Sequence, residues 1–238
     1  MNYFSSRNKN LNLSFKDIFF KGLSEDGGLF LPHHIPSLSD SVLKNFESYN
    51  FQEMSFEIFK LYTGDTFNND DLKKIINKAY SQFRNSNIVD VKKINHISHV
   101  QLYHGPTLAF KDIAMQVLGG MYEFLLNDNN EKINLVTATS GDTGAAAIDA
   151  MHGKKNINIF VLHPHNKISS VQRQLMTTYK ANNVFNLAIK GSFDDCQKIV
   201  KDMFVDQPFA KKINMSGVNS INWARIIAQI VYYFFIYY

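Results

Sequence analysis

The sequence predicts an α/β protein with an open, mostly parallel, twisted sheet flanked by helices and preceded by a mostly helical N-terminal region. Beyond residue 95, short apolar runs alternate with stretches of helical period, which is the pattern of βα units. Before that point, apolar residues recur at helical spacing. The 238 residues are 45% hydrophobic, enough to bury a sizeable core. No repeat of solenoid length and no long Gly/Ser or Pro linker divides the chain. The nearest approach to a boundary is the stretch 85–95, so two regions are expected, 1–95 and 96–238.

In the first region, Ser14 to Gly22 reads as a short amphipathic helix stopped by glycine, and Ser24 to Leu31 as a turn around Gly27-Gly28. Asp40 to Tyr49, Phe51 to Thr63 and Asn69 to Phe83 read as three further helices, the first capped by Ser39 or Asp40. In the second region, strands are expected at Val100 to Tyr103, Ile133 to Ala138, Ile157 to Leu162, Val184 to Ile189 and Ile213 to Met215. Helices fill the intervals at Lys111 to Leu126, Thr143 to Met151, Ser170 to Tyr179, Phe193 to Phe204 and Ser220 to Phe235. In such sheets ligands gather beyond the carboxyl ends of the strands.

Composition narrows the function classes. The formal charge of +4 comes from scattered Lys and Arg without a dense basic run, which argues against a nucleic-acid partner. The single cysteine, Cys196, permits no internal disulfide and suits a reducing compartment as a small apolar filler. Residues 1–7 are polar and lack the apolar core of a signal peptide, so a cytoplasmic location is expected. The apolar run Ile226 to Tyr238 is too short to span a bilayer and reads as a core helix without its continuation, so no membrane partner is expected. His163-Pro164-His165 and the pair His96 and His99 lack carboxylates or cysteines at ligand spacing, and no metal is expected.

Two segments carry the chemistry. In His104-Gly105-Pro106-Thr107-Leu108-Ala109-Phe110-Lys111-Asp112, one lysine lies in an otherwise apolar stretch ahead of a helical pattern. Desolvation there is expected to lower the pKa of Lys111 and free its amine to attack a carbonyl. Thr139-Ser140-Gly141-Asp142-Thr143-Gly144 follows an apolar strand and leads into an alanine-rich helix, where N–H groups and hydroxyls can grip an anion. Alone, the first is a commonplace surface lysine and the second a helix cap. Together they fit an enzyme that holds an amino acid by its carboxylate and reacts at its nitrogen.

In this order and spacing, the two motifs resemble the fold-type II pyridoxal-phosphate enzymes, the group of tryptophan synthase β. Within that group the chain is most similar to the threonine synthase family of bacteria and fungi. The resemblance includes Gly22-Leu23-Ser24-Glu25-Asp26-Gly27-Gly28-Leu29-Phe30-Leu31-Pro32, Lys167-Ile168-Ser169 with Gln172, Gly191-Ser192-Phe193-Asp194-Asp195-Cys196, and Asn219-Ser220-Ile221-Asn222 with Arg225. It implies pyridoxal 5'-phosphate as cofactor and O-phospho-L-homoserine as small-molecule substrate, converted with water to L-threonine and phosphate. Lys111 matches the lysine that anchors the cofactor and then shuttles protons. Thr139, Ser140, Asp142 and Thr143 match the loop that grips the substrate carboxylate. Asp142 stands where many relatives carry an asparagine facing the cofactor's 3-hydroxyl, and as an aspartate it would need a donor or a proton of its own. Ser220, expected to open the last helix, and Arg225 match residues for the substrate phosphate.

The resemblance also implies a second glycine-rich loop around the cofactor's phosphate, lying beyond residue 238, for which Gly119-Gly120 and Gly191-Ser192 are no substitute. A truncated chain is therefore expected, with two alternatives to a threonine synthase: a catalytically silent fragment, or a lyase acting on serine- or threonine-like amino acids. Assembly as a monomer or dimer is expected.

Overall fold

The computed structural model describes residues 1–127, 132–218 and 220–238. The described residues form two compact units, one of Met1–Val117 with Ser220–Tyr238 and one of Leu118–Asn219.

The first unit opens with strands β1 (Asn2–Ser5) and β2 (Asn8–Ser14), which pair with β3 (Phe30–Pro32) in an antiparallel sheet of order β2-β1-β3. Helix α1 (Phe15–Lys21) starts where Ser14 and Asp17 form a reciprocal capping box, and it stops at Gly22, whose φ of 66° favours glycine. Helices α2 (Asp40–Phe46), α3 (Phe51–Thr63) and α4 (Asn69–Tyr80) follow, capped by Ser39, Asn50 and Asn68. Val100 to Tyr103 is not a strand of the parallel sheet. Instead β4 (Asp90–Ile94) and β5 (Ile97–Gln101) make a separate antiparallel hairpin. Ile94 pairs with Ile97 across two residues, and Asn95 supplies the left-handed φ of 56° that such a turn requires. The strands of this unit escape a reading by apolar runs because β2 and β4 are largely exposed and polar.

The last helix, α10 (Trp223–Tyr237), belongs to this unit and packs on α3 through Phe51 and Phe235, whose ring centroids lie 5.4 Å apart. Its N-cap is Asn222, whose side chain accepts from Ala224 N; Ser220 is a turn residue ahead of the helix, not its first residue. Asn222 also donates to Phe19 O, which ties the start of α10 to α1.

The second unit holds the parallel sheet. Strands β6 (Ile133–Ala138), β7 (Ile157–Pro164), β8 (Val184–Ile189) and β9 (Met215–Gly217) lie in the order β8-β7-β6-β9. Helices α6 (Asp142–Met151), α7 (Ser170–Thr177) and α8 (Phe193–Val205) connect them, with a short α9 (Gln207–Lys212) before β9. Alternation along β7 divides its side chains between two faces. Leu162 and Phe160 pack with Cys196, Val200 and Met203 of α8, while Val161 meets Gly144 of α6 beside Met176 of α7. Helix α5 (Lys111–Leu126) begins in the first unit and ends in the second.

Candidate active site

Lys111 is the first residue of α5, and the loop ahead of it is pinned by the next residue. Asp112 is fully buried, and its carboxylate accepts from Thr107 N at 2.8 Å and from Thr107 Oγ1 at 2.7 Å. A Cβ on Gly105 would stand 2.4 Å from that of Asp112, so only glycine lets the loop close this tightly. Leu108 takes a left-handed φ of 62°, costly for a leucine, and its side chain is 52% exposed. Lys111 itself is partly exposed, with Nζ 4.4 Å from the centroid of the Phe110 ring. The apolar stretch therefore lies beside the amine on one side and leaves it partly exposed, because Leu108 and Phe110 face solvent.

The second motif sits where the expected geometry puts an anion site, at the carboxyl end of β6 and the N-terminus of α6. Thr139 is buried, and its Oγ1 accepts from the N–H groups of Gly141 and Gly144, both at 2.9 Å. Its hydroxyl oxygen thus holds the shape of the loop from inside, whereas Ser140 is exposed and Thr143 partly so. Gly141 has φ 144° and serves as N-cap without a side chain. Asp142 opens the helix, and its Oδ1 accepts a 2.7 Å bond from Gln172 Nε2 on α7. That bond supplies the donor the aspartate was expected to need. Gln172 belongs to the motifs quoted above, but its part in the site was missed: the only signal in the sequence was its place one turn into a helix after Ser169.

Ser220 and Arg225 lie in the same unit as Lys111, and Asn219 lies outside the described residues. Ser220 is exposed. Arg225 is only 3% exposed, and among the described residues its Nε and Nη1 have no hydrogen-bond partner. Burial pushes its guanidinium down to about 10. Arg225 lies on the buried face of α10. His163, at the end of β7, is also buried, and its Nδ1 has no hydrogen-bond partner among the described residues. Among the described residues, no group of three or more His, Cys, Asp or Glu could hold a metal ion, and no helix is long and apolar enough to cross a membrane.

Residues 2–80 match the family model described as "Threonine synthase N terminus". Over 235 residues the chain is 42% identical to threonine synthase of Pseudomonas aeruginosa, covering 98% of this chain and 50% of that protein. The chain belongs to the threonine synthase family. It spans about half the length of the curated relatives it matches. Threonine synthase of Saccharomyces cerevisiae is 42% identical over 240 residues, 94% of this chain and 46% of its own length. Among solved structures, the pyridoxal-phosphate-bound threonine synthase from Brucella melitensis superposes with a TM-score of 0.92 at 40% identity, over 100% of this chain and 51% of that one. The threonine synthase of yeast gives 0.91 at 39% identity, over 99% and 49%. The fold is therefore that of the fold-type II pyridoxal-phosphate enzymes.

Proposed function

We propose that the chain carries part of the active site of a threonine synthase that converts O-phospho-L-homoserine and water to L-threonine and phosphate, with pyridoxal 5'-phosphate as cofactor. The observation that carries this reading is Arg225. A guanidinium this deeply buried, with two donors that find no partner among the described residues, is destabilising by itself, and a phosphate ester would relieve it. Gly141 supports the cofactor part, since its missing side chain leaves room for the Gln172 carboxamide that orients Asp142.

Lys111 would anchor the cofactor and carry protons to and from the substrate at Nζ. When bound, the cofactor supplies an electron sink that lets phosphate leave the γ carbon and water add at the β carbon. Ser140, Thr143 and the first turn of α6 would bind the substrate carboxylate, while Thr139 keeps that turn in shape. Arg225 would grip the phosphate, with Ser220 five residues before it in sequence. Asp142 would face the 3-oxygen of the cofactor ring. The position of Lys111 at a helix start, partly exposed, leaves its amine accessible to a carbonyl. Reaction in a reducing cytoplasm fits the free Cys196.

The test is release of phosphate and L-threonine from O-phospho-L-homoserine in the presence of pyridoxal phosphate. Turnover that Lys111→Ala removes, and for which Arg225→Met raises the substrate requirement at least tenfold, supports the reading. Turnover of serine or threonine, with none of the phosphorylated substrate, replaces it with a lyase of another specificity.

A further inference from the structure

The Gln172 side chain is fixed at both ends. Ser169 Oγ donates to Gln172 Oε1 at 3.0 Å and accepts from Gln172 N at 3.2 Å, so the carboxamide oxygen is turned toward Ser169. The nitrogen end is then the one that faces Asp142, donating to Oδ1 at 2.7 Å. The carboxamide also occupies the space that a side chain at residue 141 would take, since a Cβ there would stand 2.3 Å from Gln172 Cδ. Gly141, at a φ of 144°, and Gln172 are thus complementary parts of one arrangement that joins α7 to the first turn of α6.

We propose that Gln172 is a positioning residue of this site, holding the Asp142 carboxylate in one rotamer and supplying the donor that lets it stay ionised against an oxygen-bearing ring. A carboxylate without such a donor would be repelled by the ring oxygen or would take up a proton. A neutral amide satisfies it without adding a charge, which a lysine or arginine in the same place would do. The functional part rests on the pyridoxal-phosphate reading above; the positioning part rests on the hydrogen bonds alone.

The experiment compares the unaltered chain with Gln172→Met, which matches the length without a donor, and Gln172→Glu, which sets a second carboxylate against Asp142. Without cofactor, amide hydrogen exchange of residues 141–145 is expected to quicken about tenfold in both variants. With pyridoxal phosphate fixed on Lys111, the visible band is expected to shift, more for Glu than for Met, and Gln172→Asn is expected to restore neither property because it falls short by one methylene. Exchange unchanged in Gln172→Met and Gln172→Glu overturns the positioning role. Faster exchange with an unshifted band on a cofactor still attached to Lys111 overturns the functional claim. Failure of the unaltered chain to take cofactor on Lys111 sinks the reading of the site, and the exchange comparison then decides the role of Gln172 by itself.

Discussion

Arg225 shows how a single residue can work against the stability of its own fold. Burial penalises the cation and lowers its pKa to about 10, a cost of about 3 kcal/mol at neutral pH when each unit is about 1.4 kcal/mol. The folded value lies below the unfolded one, so the cost is constant while both states are protonated and is relieved only as pH rises above about 10 toward the ordinary arginine value. Arg225→Met is therefore expected to raise the denaturation midpoint while it weakens phosphate binding, the opposite of what an ordinary core substitution does. A variant that lowers stability as well would mean that the guanidinium is held by the fold rather than kept for a ligand. The apolar run from Ile226 marked a core helix in the sequence, but not that Arg225 stands on its buried face with Ala224 and Ala228.

At the scale of elements, the close approach of α5 to α6 sets a test against helix propensity. Gly119 lies inside α5, where alanine is intrinsically better by about 1 kcal/mol. A Cβ there would stand 2.5 Å from the carbonyl oxygen of Ala150. Gly119→Ala is expected to destabilise by about 1–3 kcal/mol in urea unfolding, because backbone against side chain cannot yield cheaply. A stabilised variant would show that the two helices can part without penalty. Helices with strong periodicity were legible in the sequence: α3, with its capping box, and α5 begin and end where expected, as do β6 and β8. The antiparallel strands were not, because Tyr3 and Ser5 are buried in a strand of four residues and β2 is mostly polar and exposed. Strand pairing of this kind depends on partners distant in sequence, such as Tyr3 with Pro32, and leaves no local period. The same holds for the site: the loops around Lys111 and Thr139 were visible as motifs, but the Gln172 to Asp142 bond and the role of Asp112 came only from contacts.

For the whole molecule, buried phenols set the alkaline limit. Tyr122 is fully buried beside Ser216 Oγ, 3.3 Å away, and desolvation pushes its pKa from 10.0 up to about 12. Tyr3 and Tyr80 are raised as well, chiefly by burial. Because the folded value exceeds the unfolded one, each phenol contributes stability that is complete below pH 10 and lost as pH rises through the folded value. For Tyr122 the loss is about 3 kcal/mol across that window. Unfolding is expected to set in above pH 10 together with a cooperative rise in tyrosinate absorbance, and Tyr122→Phe to flatten part of that dependence. Gradual ionisation of these phenols without unfolding would contradict their burial.

The central claim is that this chain presents Lys111 as the anchor of a pyridoxal-phosphate site. The most direct measurement is to add pyridoxal phosphate to the 238-residue chain, reduce with borohydride and map the modified lysine by mass spectrometry. One adduct on Lys111, absent from Lys111→Ala, is the predicted result. Labelling scattered over exposed lysines, unchanged in Lys111→Ala, would contradict it.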